Sequence, residues 1–181
     1  RGIVRDDYDG LLEALRAALA GCDMLVLSGG SSIGARDYAR EAIGALGDPG
    51  VLVHGVAVKP GKPTILAVAG GKPVFGLPGH PASCLNIFRL FVEPAIRRWM
   101  GTEPAGREVV ARMGANVASA AGREDYVAVR LTLRDGAIWA DPLFAKSAMI
   151  SGLTEADGIA RIPEGSEGLE RGDMVTVLAW R

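Results

Sequence analysis

The chain has 181 residues, 20 Lys and Arg against 21 Asp and Glu, a formal net charge of −1 and 49% hydrophobic residues, enough for a packed core and unlike a disordered chain. With charge balanced and no long Lys/Arg run, the phosphate-backbone footprint of a nucleic-acid binder is missing. No stretch approaches the ~20 consecutive apolar residues of a membrane span, and no charged-then-apolar signal pattern opens the chain, so a cytoplasmic protein without nucleic-acid or membrane partners is expected.

In chain order, Asp9 stands as N-cap before Leu11, Leu12, Leu15, Ala18 and Leu19 at helical spacing, and Gly21 ends the pattern. Asp23 to Ser28 is a short apolar run of the kind found in a strand buried on both faces of a parallel sheet. A glycine loop follows. Asp37 can cap the next helix, whose apolar face carries Ala39, Ile43 and Leu46 before Gly47-Asp-Pro-Gly50 breaks it. Val51 to Val58 is β-rich, completing a βαβ unit with parallel strands. Thr64–Val68 and Pro73–Leu77 read as strands joined at Gly70-Gly71.

A long helix is predicted from about Ala82 to Met100, with Leu85, Phe88, Val92, Ile96 and Trp99 on its buried face, Arg89, Arg97 and Arg98 toward water, and a kink at Pro94. After the linker-like Gly101–Gly106, short β-type runs take over: 109–117, 126–133, 138–140, 158–162 and 174–180, with turns at Asp135-Gly136 and Arg171–Asp173. Two domains follow, an α/β domain over 1–101 with a mostly parallel sheet and a small all-β barrel or sandwich over 102–181. Cys22 and Cys84 are far apart and only His54 and His80 could join them. Neither a zinc framework nor a disulfide scaffold is signalled, and both thiols are expected to be buried.

Three glycine-punctuated loops carry the chemistry: Ser28-Gly29-Gly30-Ser31-Ser32-Ile-Gly34-Ala-Arg-Asp37, Lys59-Pro-Gly-Lys62-Pro, and Gly76-Leu-Pro78-Gly79-His80-Pro81-Ala-Ser83. Loops that leave the carboxyl ends of strands in an open α/β sheet converge on one crevice. Gly29, Gly30 and Gly34 let backbone N–H groups approach an anion, although a glycine-rich strand-to-helix turn with capping Ser and Asp accounts for the same residues. Asp37 serves either as a cap or as a carboxylate beside a phosphate-bridging divalent cation. Prolines after Lys59 and Lys62 stiffen the loop and present two cations to an anionic ligand. Ser83 stands as a cap of the long helix, and His80 reads more as a local hydrogen-bonding residue than as an acid–base group.

Taken in order, these three motifs resemble those of the MoeA-type molybdopterin molybdenumtransferases, whose eukaryotic counterpart is the E domain of gephyrin. Ser147-Ala-Met-Ile-Ser151-Gly-Leu-Thr-Glu-Ala-Asp157-Gly158 is similar to the signature of that family's C-terminal domain. His80 stands where Asn is more usual, and Gly152 where the signature has a second serine. The resemblance implies a three-layer molybdopterin-binding α/β domain over 1–101 that lacks the family's first strand and upstream domains, then its C-terminal β domain over 102–181.

It also implies molybdate insertion into adenylylated molybdopterin with release of AMP. Asp37 would help hold Mg²⁺ or act near the phosphates, and Lys59 and Lys62 would neutralise phosphate or molybdate. Ser28, Gly29, Gly30, Ser31, Ser32, Gly34, Pro78, Gly79, His80, Pro81, Ser83, Ser147 and Ser151 would line the pterin and oxyanion pocket. A homodimer and a molybdopterin adenylyltransferase partner belong to the same expectation. Two alternatives stand beside it: a gephyrin-like interaction module, and an adenylyltransferase-like domain, against which the Lys-Pro-Gly-Lys-Pro loop and the β half argue.

Overall fold

The computed structural model describes residues 2–4, 7–29, 38–103, 107–144 and 154–180. Two compact units divide the chain, one formed by 1–56 with 61–88 and the other by 57–60 with 89–181. A four-residue strap from the first half of the sequence is therefore part of the second unit. No helix among the described residues is long and apolar enough to cross a membrane.

The first unit opens with α1 (Tyr8–Ala20). Its N-cap is Asp7 rather than Asp9: the Asp7 carboxylate accepts the Gly10 N–H at 2.7 Å, which places Asp9 in the first turn where it complements the helix dipole. Four strands form one sheet, β1 (Leu25–Ser28), β2 (Pro49–His54), β4 (Ile65–Ala69) and β5 (Lys72–Leu77), in the order β1-β5-β4-β2. β1 runs parallel to β5, and β4 runs antiparallel to both β5 and β2. Three strands thus share one direction and β4 opposes them, because the two-residue Gly70-Gly71 turn can join only antiparallel neighbours.

β1 and β2 run the same way, as expected of a βαβ unit, yet the β4–β5 hairpin lies between them. β1 is not buried on both faces; it is an edge strand among the described residues, and Val26 is 42% exposed. The core gathers Leu11, Leu15, Leu25, Ile65, Ala67, Ala69 and Val74 with Ala39, Ala42 and Ile43 of α2 (Tyr38–Gly44).

The predicted long helix is three segments in sequence: α3 (Pro81–Ile87), a π-helical turn over Phe88–Val92, and α4 (Glu93–Trp99). The wide turn lies immediately before Pro94, whose missing N–H and ring cannot be fitted into a regular i to i−4 ladder. Ile87 and Val92 are buried, whereas Trp99 is 57% exposed, which corrects its placement on the apolar face. A π turn changes the rotation per residue, so positions spaced for one face of a regular helix do not stay on it.

In the second unit β6 (Arg107–Met113), β8 (Glu124–Arg134), β9 (Ala137–Pro142), β10 (Gly158–Ile162) and β12 (Met174–Ala179) form a closed barrel in the order β10-β12-β6-β9-β8, shut by pairing of β10 with β8. Ala111, Met113, Val129, Ala140, Ala160, Ile162, Val175 and Val177 fill it. β8 is long enough to serve both neighbours: residues 125–129 pair with β10 and 129–134 with β9. A short strand from the strap, β3 (Val58–Lys59), adds to β8 in parallel. A two-stranded pairing of β7 (Val117–Ala118) with β11 (Gly168–Leu169) completes the unit.

Candidate functional site

Strand register decides which loops meet. Ser28 of β1 stands opposite Leu77 of β5, Gly76 of β5 opposite Ile65 of β4, and Ile65 opposite His54 of β2. The ends of β1, β5 and β2 and the start of β4 therefore lie along one edge of the sheet. The Ser28 loop, the Pro78–Ser83 loop and Lys62, three residues ahead of β4, all emerge there. With strands about 4.8 Å apart, the Ser28 and Ile65 positions are about 10 Å from one another across that edge.

The first two loops touch. Gly29 donates its N–H to the Leu77 carbonyl at 3.1 Å, and a methyl group on Gly79 would stand 3.4 Å from the Gly29 Cα. Ser28 Oγ lies 3.6 Å from Cys84 Sγ, tying the end of β1 to the first turns of α3. Both cysteines are half-buried free thiols rather than fully buried ones. A position one turn into a helix beside a loop leaves part of the Cys84 side chain outside the core.

His80, not Ser83, is the N-cap of α3. Its carbonyl accepts the Cys84 N–H at 2.8 Å, its side chain makes no capping bond, and Pro81 starts the helix. Ser83 is buried within the first turn and Pro78 is buried behind the loop, while Gly79 and His80 are exposed. Proline at the first helical position takes a place where no N–H is needed.

Lys59 and Lys62 are held in different ways. Thr64, fully buried, donates its hydroxyl to the Gly61 carbonyl at 2.6 Å. Its N–H and that of Val56 both reach the Lys62 carbonyl, at 2.9 and 3.0 Å. The Lys62 backbone is thereby fixed while its side chain is exposed and makes no ion pair among the described residues. Lys59 belongs to the strap and so to the second unit, where its ammonium donates to Asp125 Oδ2 at 3.2 Å. Arg123 donates to the other oxygen, Oδ1, at 2.9 Å.

Neighbouring Asp125 on β8, Glu124 accepts the Tyr126 hydroxyl at 2.8 Å and the Arg161 Nε at 2.9 Å. Burial alone would raise the Glu124 carboxyl, but the bonds from Tyr126 and Arg161 outweigh it and hold it below its ordinary value. Burial, and then donation to the Glu124 carboxylate, push the Tyr126 phenol far up.

Asp37, Gly30, Ser31, Ser32, Gly34, Ser147 and Ser151 lie outside the described residues. Of the others, Ser28, Gly29, Lys62, Pro78, Gly79, His80, Pro81 and Ser83 come from the loops at one sheet edge, and Lys59 sits on the barrel unit. Thr64 and Asp125 carry no role in the sequence reading. A threonine three residues beyond Gly61 is a local turn signal that could have been read. Asp125 is 66 residues from Lys59, and it is the parallel pairing of β3 with β8 that brings the two side chains together. An exposed cation beside two closely packed glycine loops suits an anionic ligand.

Residues 1–98 match the family described as "Probable molybdopterin binding domain", and residues 110–180 match the "MoeA C-terminal region (domain IV)". A "Putative molybdopterin biosynthesis protein" of Methanocaldococcus jannaschii is 38% identical over 97% of this chain and 41% of its own length. A molybdopterin molybdenumtransferase of Staphylococcus aureus is 30% identical over 96% and 42%, respectively. The crystal structure of a molybdopterin biosynthesis MoeA protein from Pyrococcus horikoshii superposes with a TM-score of 0.83 at 38% identity, covering 99% of this chain and 43% of that one. The chain thus spans about two fifths of the length of these relatives.

Proposed function

This chain belongs to the MoeA family, with a molybdopterin-binding domain followed by the MoeA C-terminal region, and on that premise we propose that it serves molybdenum cofactor biosynthesis by inserting molybdate into adenylylated molybdopterin with release of AMP. The observation that supports this reading is the register that brings the Ser28–Gly29 loop, the Pro78–Ser83 loop and Lys62 to one sheet edge. In the proposed reaction, water oxygen bonds to phosphorus of the phosphoanhydride, the bridging P–O bond breaks, and AMP leaves. The two dithiolene thiols then bond to molybdenum through sulfur, and the molybdate oxygens they replace take up the thiol protons and leave as water. Both substrates are anionic, and one charge-assisted hydrogen bond contributes about 1.5–3 kcal/mol, so Lys62 and Lys59 bear on affinity and on the charge that develops as AMP leaves.

The domain limits in this proposal are 1–101 and 102–181, and the pocket residues are those named from sequence, Ser147 and Ser151 among them. Asp37 is the proposed ligand of Mg²⁺. Among the described residues no three His, Cys, Asp or Glu side chains come together to hold a metal. A homodimer is part of the proposal, supported by the position of β1 at the sheet edge among the described residues; a single monomeric species across concentrations in sedimentation would count against it. An adenylyltransferase that hands over the nucleotide-bearing substrate and a cytoplasmic location complete it.

The first test is calorimetric titration of adenylylated molybdopterin, with and without Mg²⁺, into the longest obtainable form of the protein and its Lys59→Ala/Lys62→Ala variant. Loss of binding in the variant supports the site; equal binding refutes it. In the same protein, Lys62→Ala and Asp37→Ala are each expected to lower molybdate-dependent AMP release by about tenfold or more without unfolding it. Wild-type turnover in both would sink the assignment.

A further inference from the structure

Asp125 is a nearly buried carboxylate, its side chain 5% exposed, and its two oxygens are divided between two cations, Lys59 and Arg123. Both cations reach solvent, at 54% and 39% exposure. The carboxylate therefore sits behind, and the charged heads stand in front. Burying a carboxylate to this degree without such partners would be costly.

We propose that Asp125 is the positioning residue for Lys59, holding its ammonium at the barrel edge while Arg123 keeps the cluster net positive. Backbone pairing brings the two together: Lys59 lies opposite Asp125 in the β3–β8 register, and the Glu124 N–H donates to the Ala57 carbonyl at 2.9 Å. That pairing fixes only the Cα; the bond to Oδ2 orients the flexible four-carbon stem before any ligand arrives, which lowers the entropy cost of binding. A carboxylate shared with Lys59 alone would give a neutral pair. With Arg123 on the other oxygen, two positive charges face one negative charge and a net +1 remains for an anion.

Lys62 differs, since its backbone is fixed and its side chain is free among the described residues. Lys59 is thus held by an ion pair, and Lys62 is held through its backbone alone among the described residues. This proposal rests on Lys59 acting on an anionic ligand, and the test separates the two ideas.

The full chain would be acylated with a limiting amount of acetic anhydride, and Lys59 and Lys62 scored by peptide mass spectrometry, Lys62 being the internal reference. Lys59 should react about two- to fivefold more slowly than Lys62, in line with the strength of a half-exposed ion pair. Asp125→Asn should erase the difference and Asp125→Glu should restore part of it, with thermal unfolding reporting that each variant is folded. Unchanged protection of Lys59 in a folded Asp125→Asn protein overturns the proposal. Should that variant not fold, Asp125→Glu carries the test through a changed Lys59 to Lys62 ratio, and an unchanged ratio overturns it.

The second arm is affinity for adenylylated molybdopterin. Asp125→Asn should weaken binding in the wild-type background and add nothing to Lys59→Ala, whereas additive losses would indicate general destabilisation and overturn the proposal. If Lys59→Ala alone binds like wild type, the anion reading of Lys59 fails while the acylation result still decides the role of Asp125.

Discussion

Glu124 illustrates how one side chain ties the barrel to pH. Its carboxyl lies below its ordinary value of 4.5 because bonds from Tyr126 and Arg161, together with the Arg161 charge, outweigh its burial. A depressed folded-state value means that the stabilisation is fully present above the unfolded value and is lost as pH falls through the folded one. Stability of the barrel should therefore decline as pH drops from about 5 toward the folded-state value. Denaturant titrations at a series of pH values should show a flatter acid limb for Glu124→Gln than for wild type, and an identical limb would refute the linkage.

At Gly76 the constraint is steric. A Cβ there would stand 3.0 Å from Ile65 Cβ and 3.3 Å from Ile43 Cδ1. Both neighbours are fully buried, so neither can yield without disturbing the core. Gly76→Ala is expected to cost about 1–3 kcal/mol by overpacking, read as a lowered urea midpoint with unchanged slope. The motif glycine next to the loop is thus accounted for by packing between β5, β4 and α2, whatever ligand the loop takes.

Among the elements, the β4–β5 hairpin is the most local. Gly70 and Gly71 have φ of +56° and +75°, the pattern of a two-residue turn whose twist matches the strands. Gly70→Asn should leave stability within about 0.5 kcal/mol, while Gly70→Val should cost about 1–2 kcal/mol, because a β-branched residue resists the left-handed region. Equal midpoints for the two variants would rule this turn out. The composite helix follows a less local logic. Its apolar spacing predicts one continuous face, but the π turn before Pro94 changes the rotation per residue, and Trp99 is exposed while Val92 is buried. β1 departs from expectation for a different reason. A continuous apolar run shows that a strand can be buried on both faces, and pairing partners decide whether it is.

On the scale of the molecule, the strap Ala57–Pro60 matters most. It belongs to the second unit although 1–56 and 61–88 form the first, so the chain enters the second unit, leaves it, and returns at Arg89. The two units are therefore joined by chain crossings at 56–57, 60–61 and 88–89 rather than by one linker. We expect a single cooperative transition in calorimetry, with calorimetric and van't Hoff enthalpies equal, and two resolved transitions would show that the strap does not couple them.

Much of this was legible from the linear chain because it depends on neighbours in sequence. The αβ-then-β order, the Gly70-Gly71 turn, the barrel strands and the three glycine-rich loops all follow from periodicity and turn chemistry within a few residues. Helix caps were placed less well, since Asp7 competes with Asp9, and His80 with Ser83, on geometry that only backbone dihedrals resolve. Long-range partners were beyond reach. The strand order β1-β5-β4-β2, the closure of β8 on β10, and the meeting of Lys59 with Asp125 join residues that are tens of positions apart. Register and sheet order arise from packing of whole faces and carry no local signature, so the motifs could be read residue by residue while their partners were settled only by the fold.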